Sequence, residues 1–304
     1  MGVTRRTFLI GATGLSVAVL AACTDEPPQP SPEPTPGPPA GPPRPAGVAA
    51  SHPSLRDWLA PGRDLRAAIT EQAQMQLAAA AGQLRDQGGV QAQPLVRVGQ
   101  PLQQINAAAA DADLLVLGDH GNHAWRDLAI GTTADRLLRT ATRPLLVVRK
   151  PPVAAYARVL VLADFSAASE TAIRAALRLA PRAAIRLLHA YGLPYEGKLR
   201  IAGVAEEDVE RYRSLERQHA TEQLRLMLAD IEGSGRVETC VEQGDVRIEF
   251  LRAMKEYQPD LVAIGKQGQG FVSDLLLGSV TRMVLAQAQC DVLVVPRGAQ
   301  DPAG

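Results

Sequence analysis

The feature that most constrains this 304-residue chain is that part of it occurs twice. "DLLVLGDHGNHAWRDLAIGTTADRLLRTATRPLLVV" (113–148) aligns without gaps to "DLVAIGKQGQGFVSDLLLGSVTRMVLAQAQCDVLVV" (260–295), at an offset of 147 throughout. An internal repeat sets the architecture before any single motif does. Each copy reads as apolar strand, glycine loop, helix, apolar strand. The strands are continuous apolar runs, the pattern of a parallel sheet covered on both faces.

Upstream of the second copy, "ARVLVLADFSAASETAIRAALRLA" (157–180) reads strand, Asp-x-Ser turn, helix, and "AIRLLHAY" (184–191) reads as a strand. A long charged helix (205–232), a strand (236–245) and a further helix (247–257) follow. Residues 154–298 therefore form a complete five-strand α/β unit, and alternating strands and helices predict a doubly wound, Rossmann-like parallel sheet. The first copy, 51–150, is shorter on signals. It offers a helix at about 63–86, a strand at 93–98 and a short helix, but no candidate for a first helix or second strand between 24 and 62. The expectation is two α/β domains, the first lacking its opening strand, helix and second strand.

The opening stretch, "TRRTFLIGATGLSVAVLAAC" (4–23), has two readings. "FLIGATGLS" resembles "VLVLADFS" (159–166), and Gly14 to Gly118 spans 104 residues where Asp164 to Gly265 spans 101. Against that, Arg5 and Arg6 precede 15 uncharged residues, Phe8 to Ala22, too short for a spanning helix of roughly 20. "Leu20-Ala21-Ala22-Cys23" resembles a lipobox and "RRTFL" a twin-arginine signal. Residues 1–23 are read as an export leader, with Cys23 the lipidated residue that anchors the body to a membrane surface. The alternative is a cytoplasmic protein. Residues 24–50 follow as a linker; 11 of the 24 residues in 24–47 are proline, which favours an extended spacer.

Charge narrows the function. Lys+Arg and Asp+Glu are both 32, so no global basic field points to nucleic acid. Aromatics are 4%, too few for a stacking platform for single strands. The three cysteines form no disulfide framework, and no Cys/His cluster has metal-ligand spacing. Cys240 and Cys290 read as buried, inert thiols.

The chemical signal is a glycine pattern present in both copies. Gly265-x-x-Gly268, nine residues, then Gly278-Ser279 in the second copy matches Gly118-x-x-Gly121, nine residues, then Gly131-Thr132 in the first. Glycines after a strand let the backbone turn tightly against a polyphosphate. A helix opening at Gly278-Ser279 offers free N–H groups and a positive dipole end to an anion. Such sites lie past the carboxyl ends of the strands.

With these motifs the chain resembles the universal stress protein family in its tandem form. The resemblance covers 154–297 fully and 60–150 in part. It implies ATP, carried with Mg²⁺, held by the second domain in a stress-response role. Carried over residue by residue, Asp164 sits by the adenosine, Gly265, Gly268, Gly278, Ser279 and Val280 line ribose and phosphates, and Ala190 is a looser match for an adenine contact. The family's sheet order, 3-2-1-4-5, makes the elements missing from the first copy central ones, so the third and fourth strands are expected to pair directly or to lean on the second domain. The first copy is expected not to bind nucleotide. Pairing of the final strands, "LLVV" (145–148) and "VLVV" (292–295), within one chain or in a homodimer, is a further expectation.

No catalytic set stands out. Ser166 reads as a turn and cap residue, Asp260 as a strand-edge residue, and His189 as a structural histidine. His120 and His123 lack a third ligand. Lys266 is either a phosphate contact or an exposed loop lysine. The helix at 205–232 is read as mostly a solvated face, with pairs such as Glu207–Arg211. A membrane-tethered interaction module without nucleotide is the rival reading. A nucleotide-hydrolysing enzyme is weaker, because no Walker pattern is present.

Overall fold

The computed structural model describes residues 7–13, 16–21, 65–88, 91–110, 112–118, 132–150, 154–193, 196–268 and 276–298. Cys23, the linker, His120, His123, Gly121 and Gly131 lie outside them.

The second repeat is built as its sequence pattern predicts. Strand β6 (Arg158–Leu162), helix α4 (Ala167–Leu179), β7 (Ala184–Tyr191), α5 (Glu196–Ile201), α6 (Glu206–Ala229), β8 (Val237–Gln243), α7 (Val246–Tyr257), β9 (Leu261–Gly265), α8 (Ser279–Gln287) and β10 (Asp291–Val295) follow in turn. The short α5 had no counterpart in the sequence reading. The first repeat supplies β1 (Thr7–Thr13), β2 (Ser16–Ala21), α1 (Leu65–Gly88), β3 (Gln93–Arg97), α2 (Pro101–Ala108), β4 (Leu114–Gly118), α3 (Thr132–Thr140) and β5 (Leu145–Val148).

All ten strands form one sheet, in the order β3-β2-β1-β4-β5-β10-β9-β6-β7-β8. Each half has the order 3-2-1-4-5, and the halves meet where β5 and β10 pair antiparallel, Leu146 opposite Leu293. In the second half every pairing is parallel. In the first half β1 is parallel to β4, but β2 runs antiparallel to both β1 and β3.

The structure places residues 7–21 in the two positions expected to be empty, so β3 and β4 do not pair directly. No helix separates the two strands. Thr13 pairs with Ser16, so the chain reverses at once and a hairpin replaces the strand–helix–strand crossover. The physical reason lies in the apolar run from Phe8 to Ala22: strands between other strands are covered on both faces and tolerate unbroken apolar sequence.

The core lies on both sides of the sheet. Successive strand residues point to opposite faces, so Leu160, Leu162, Val262, Ile264, Val292 and Val294 pack in one cluster. Val159, Val161, Leu261, Ala263, Leu293 and Val295 pack in the other. The first layer includes Ile105, Leu137, Phe250 and Val284 from α2, α3, α7 and α8. The second includes Ile173 and Leu224 from α4 and α6. Burying each such Leu, Ile or Phe is worth about 1.5–3 kcal/mol. Helix α6 is mostly exposed, as expected, with Val209, Ala220 and Leu224 buried. Arg211 pairs with Asp208 (3.6 Å) rather than with Glu207.

Candidate functional site

The carboxyl ends of β6, β7 and β9 open into a cavity of about 200 Å³. Asp164, Ala190, Gly265, Gly268, Gly278, Ser279 and Val280, all singled out by the sequence, line it. They come from four separate stretches of chain. The parallel register, which sets Leu162 opposite both Leu188 and Ile264, brings those stretches together.

Asp164 leaves β6 in the Asp-x-Ser turn. Its Oδ1 accepts from the Ser166 amide (3.2 Å), the Ser166 hydroxyl (2.6 Å) and the Ser169 hydroxyl (2.6 Å). Ser166 is the N-cap of α4, accepting from the Ser169 amide (3.2 Å), which satisfies an otherwise orphaned donor. Phe165, between them, adopts φ 61°, the conformation that turns the chain from strand into helix. The carboxylate is thus fixed in place before any ligand arrives.

The glycines are required by close approach. A Cβ on Gly268 would lie 2.5 Å from Asp164 Oδ2, and one on Gly265 would lie 2.8 Å from the Ala168 Cβ. The second glycine of the loop therefore sits directly on the carboxylate. Gly278 is the N-cap of α8, and its amide donates to the Lys266 carbonyl (3.0 Å). Thr281 ties the same turn, its hydroxyl donating to the Gly265 carbonyl (2.8 Å). The first amides of α8 have no partners within the helix, and Ser279, Val280 and Thr281 of that turn line the cavity.

The opposite wall is apolar, formed by Leu188, Ala190 and Val246. Val246 opens α7 behind its N-cap Asp245 and escaped the sequence reading, because nothing in its spacing connects it to the glycine loop. Ser169 escaped too, although Asp-x-Ser-x-x-Ser is a readable cap signal. Asp164 is the one ionisable residue lining the described part of the cavity.

The remaining candidates resolve into structural roles. The Asp260 carboxylate accepts from the amides of Ala157 (2.7 Å) and Arg158 (3.1 Å), closing the start of β6. His189 is buried, and its Nδ1–H donates to the Ala163 carbonyl (2.9 Å). Burial holds its pKa below the ordinary value, although that hydrogen bond and the nearby Asp164 charge oppose the shift. Burial pushes the Cys290 thiol up to about 12; Cys240 is half-buried rather than buried as expected, and burial followed by its hydrogen bond to Glu242 pushes its thiol up to about 11. Lys266 meets neither expectation. It is 3% exposed, and its ammonium donates to the carbonyls of Arg139 (2.6 Å) and Ala141 (3.2 Å) in the first repeat. Among the described residues, no group of three or more His, Cys, Asp and Glu could hold a metal. No helix among them is long and apolar enough to cross a membrane.

Comparison with known proteins places this geometry. The model of the universal stress protein family matches residues 48–149 and 155–296. A universal stress protein of Mycolicibacterium smegmatis is 29% identical over 231 residues, 74% of each chain. One from Mycobacterium tuberculosis is 26% identical over 198 residues, covering 64% of this chain and 65% of that protein. The fold is similar to that of a crystal structure of a universal stress protein from Archaeoglobus fulgidus, with TM-score 0.53, 20% identity and coverage of 79% and 82% of the two chains. Two matches in tandem span most of the sequence, and the chain belongs to the universal stress protein family.

Proposed function

We propose that the second repeat binds an adenine nucleotide and that the protein acts through the bound state rather than through turnover. The observation that carries this reading is convergence: seven residues, named from the glycine pattern and from the family resemblance, line one cavity at the carboxyl ends of the strands. Leu188, Ala190 and Val246 form an apolar wall suited to a base. Asp164, held by two serines, would accept from ribose hydroxyls. Gly268 and the start of α8 leave room and N–H donors for phosphate. ATP would bring Mg²⁺ on its own phosphates, since one carboxylate does not make a divalent site. Among the described lining residues the one ionisable group, Asp164, already accepts from the Ser166 and Ser169 hydroxyls, which favours a holding role over that of a hydrolytic base. Titration calorimetry with ATP, ADP and AMP tests the reading. One site per chain is expected, and no binding of any of the three would overturn it.

Residues 1–23 are proposed as an export leader that leaves Cys23 acylated on a membrane surface, on the strength of the paired arginines and the lipobox-like "LAAC". In that case cleavage removes β1 and β2. One observation favours the cytoplasmic alternative: β1 lies between β2 and β4 in the sheet. Mass spectrometry of the N-terminus with membrane fractionation decides. An acylated Cys23 in the membrane fraction supports the leader, and an intact Met1 in the soluble fraction overturns it.

A further inference from the structure

The ammonium of Lys266 lies on the wrong side of its loop to serve the cavity. Its backbone belongs to the cavity wall: the amide donates to the Val295 carbonyl (2.7 Å), and its own carbonyl accepts from the Gly278 amide (3.0 Å) and the Thr281 hydroxyl (3.3 Å). Both glycine legs of the loop, one ending β9 and one capping α8, are therefore joined at this residue. Its side chain runs the other way, to the carbonyls of Arg139 and Ala141 at the end of α3. The last carbonyls of a helix lack intrahelical donors and carry the negative end of the dipole, so a cation there is favoured. A buried lysine is costly unless so paired.

A second contact of the same kind runs in the opposite direction. The Arg149 guanidinium, just past β5, donates to the Leu285 carbonyl in the last turn of α8, and its amide donates to Asp291 Oδ1 (2.8 Å). Each repeat thus caps the end of the other's helix with a cation. Only the lysine also belongs to the glycine loop. The aligned residue in the first repeat is Asp119, which when ionised has no proton to offer a carbonyl.

We infer that Lys266 is a positioning residue that couples the phosphate side of the second repeat's cavity to α3 of the first. Ligand occupancy and docking of the two repeats then stabilise each other, as any coupling between sites must be reciprocal. The nature of the ligand rests on the nucleotide reading above. The coupling itself rests on the contacts of Lys266.

The test compares the full chain with Lys266→Met, which keeps the stem and removes the ammonium. ATP titration by calorimetry is combined with amide hydrogen exchange, with and without saturating ATP. In the wild type, ATP should slow exchange at 138–141, at the α3 end remote from the ligand. In Lys266→Met, ATP should bind about 10-fold more weakly, and at saturation it should leave 138–141 unchanged. Equal protection at 138–141 in both proteins overturns the coupling, as does ATP binding to the wild type without that protection. If neither protein binds ATP, the nucleotide reading falls and ligand-free exchange decides the coupling. Faster exchange in the variant at both 138–141 and 278–282 supports it, and unchanged rates at either end overturn it.

Discussion

The two repeats carry one glycine pattern on two different chassis. In the second, β6 delivers Asp164 beside Gly268, and the parallel crossover to β7 brings Ala190 to the same cavity. In the first, the register is informative. Ile10 lies opposite Leu117 as Leu162 lies opposite Ile264, and Leu117 and Ile264 are aligned repeat positions. Counting two residues on, Ala12 stands where Asp164 stands. The strand that follows, β2, runs antiparallel, so its end near the glycine loop is its start. The first repeat thus keeps the loop sequence and loses both the carboxylate and the parallel second strand. A glycine motif marks a site only where the strands beside it bring their residues to the same end of the sheet.

The largest expected effect tests that contrast directly. Gly268→Val should weaken ATP binding at least about 100-fold, equivalent to about 2.7 kcal/mol. Its Cβ alone would approach Asp164 Oδ2 to 2.5 Å, and the carboxylate and the ligand compete for the space that remains. Gly121→Val with Thr132→Ala should leave the stoichiometry at one per chain. Calorimetric stoichiometry reads both, and a fall in ATP bound by the first-repeat variant would show that the first glycine loop also binds.

Next in size is Asp164 itself. Asp164→Ala removes the acceptor of one amide and two hydroxyls, all three on the buried Ser166 and Ser169. Leaving such donors unpaired costs about 1–3 kcal/mol, and urea denaturation should show that loss along with about 10-fold weaker ATP binding. The reverse change, Ala12→Asp, should not create a second site, because no parallel second strand supplies the opposite wall. A second calorimetric site in Ala12→Asp would show that the carboxylate alone was missing.

Much of this was legible in the sequence because the second repeat is locally consistent. Its strands are apolar runs, its turns carry Asp-x-Ser and Gly-x-x-Gly, and its helices open on Ser166, Asp245 and Gly278. Less legible were features that depend on partners distant in sequence. Nothing local distinguishes Lys266 from an exposed lysine, since its partners are 125 and 127 residues away. Val246 joins the cavity only through the position of α7 in the fold. Residues 7–21 are ambiguous for a different reason. A short apolar run suits a leader and a strand pair equally, and the choice depends on whether β4 is available to pair with it.

The seam between the repeats gives a smaller effect. Asp291 is buried beside Cys290 and accepts from the Arg149 amide and the Tyr156 hydroxyl (2.7 Å). Burial and this carboxylate, in that order, hold the Tyr156 pKa well above its ordinary value. The unfolded tyrosine ionises near 10 and the folded one only at higher pH. Its contribution is therefore fully present below pH 10 and is lost as pH rises above it. Tyr156→Phe should cost about 1 kcal/mol at pH 7 and flatten that part of the alkaline loss. Urea denaturation at pH 7 and pH 11 reads both, and an identical alkaline slope in the variant would exclude Tyr156 as its source.

The smallest effect separates the repeats by acid. His189 is held neutral by burial beneath the tilted ring of Phe165, 4.2 Å away between ring centroids, and its folded pKa lies below the ordinary value. The unfolded chain takes up a proton near pH 6.5 while the folded one resists. Stability from this group is therefore complete above that pH and declines as pH falls through the lower, folded value. The loss should be local, because the imidazole bonds to the Ala163 carbonyl, which leads into Asp164. Amide exchange between pH 7.5 and 5, corrected for intrinsic rates, should rise at 163–169 before it rises at β4 and β5. His189→Asn keeps an N–H for the Ala163 carbonyl and does not titrate, so its 163–169 segment should lose this acid response. If the variant responds as the wild type does, the acid sensitivity of the second repeat arises elsewhere than at His189.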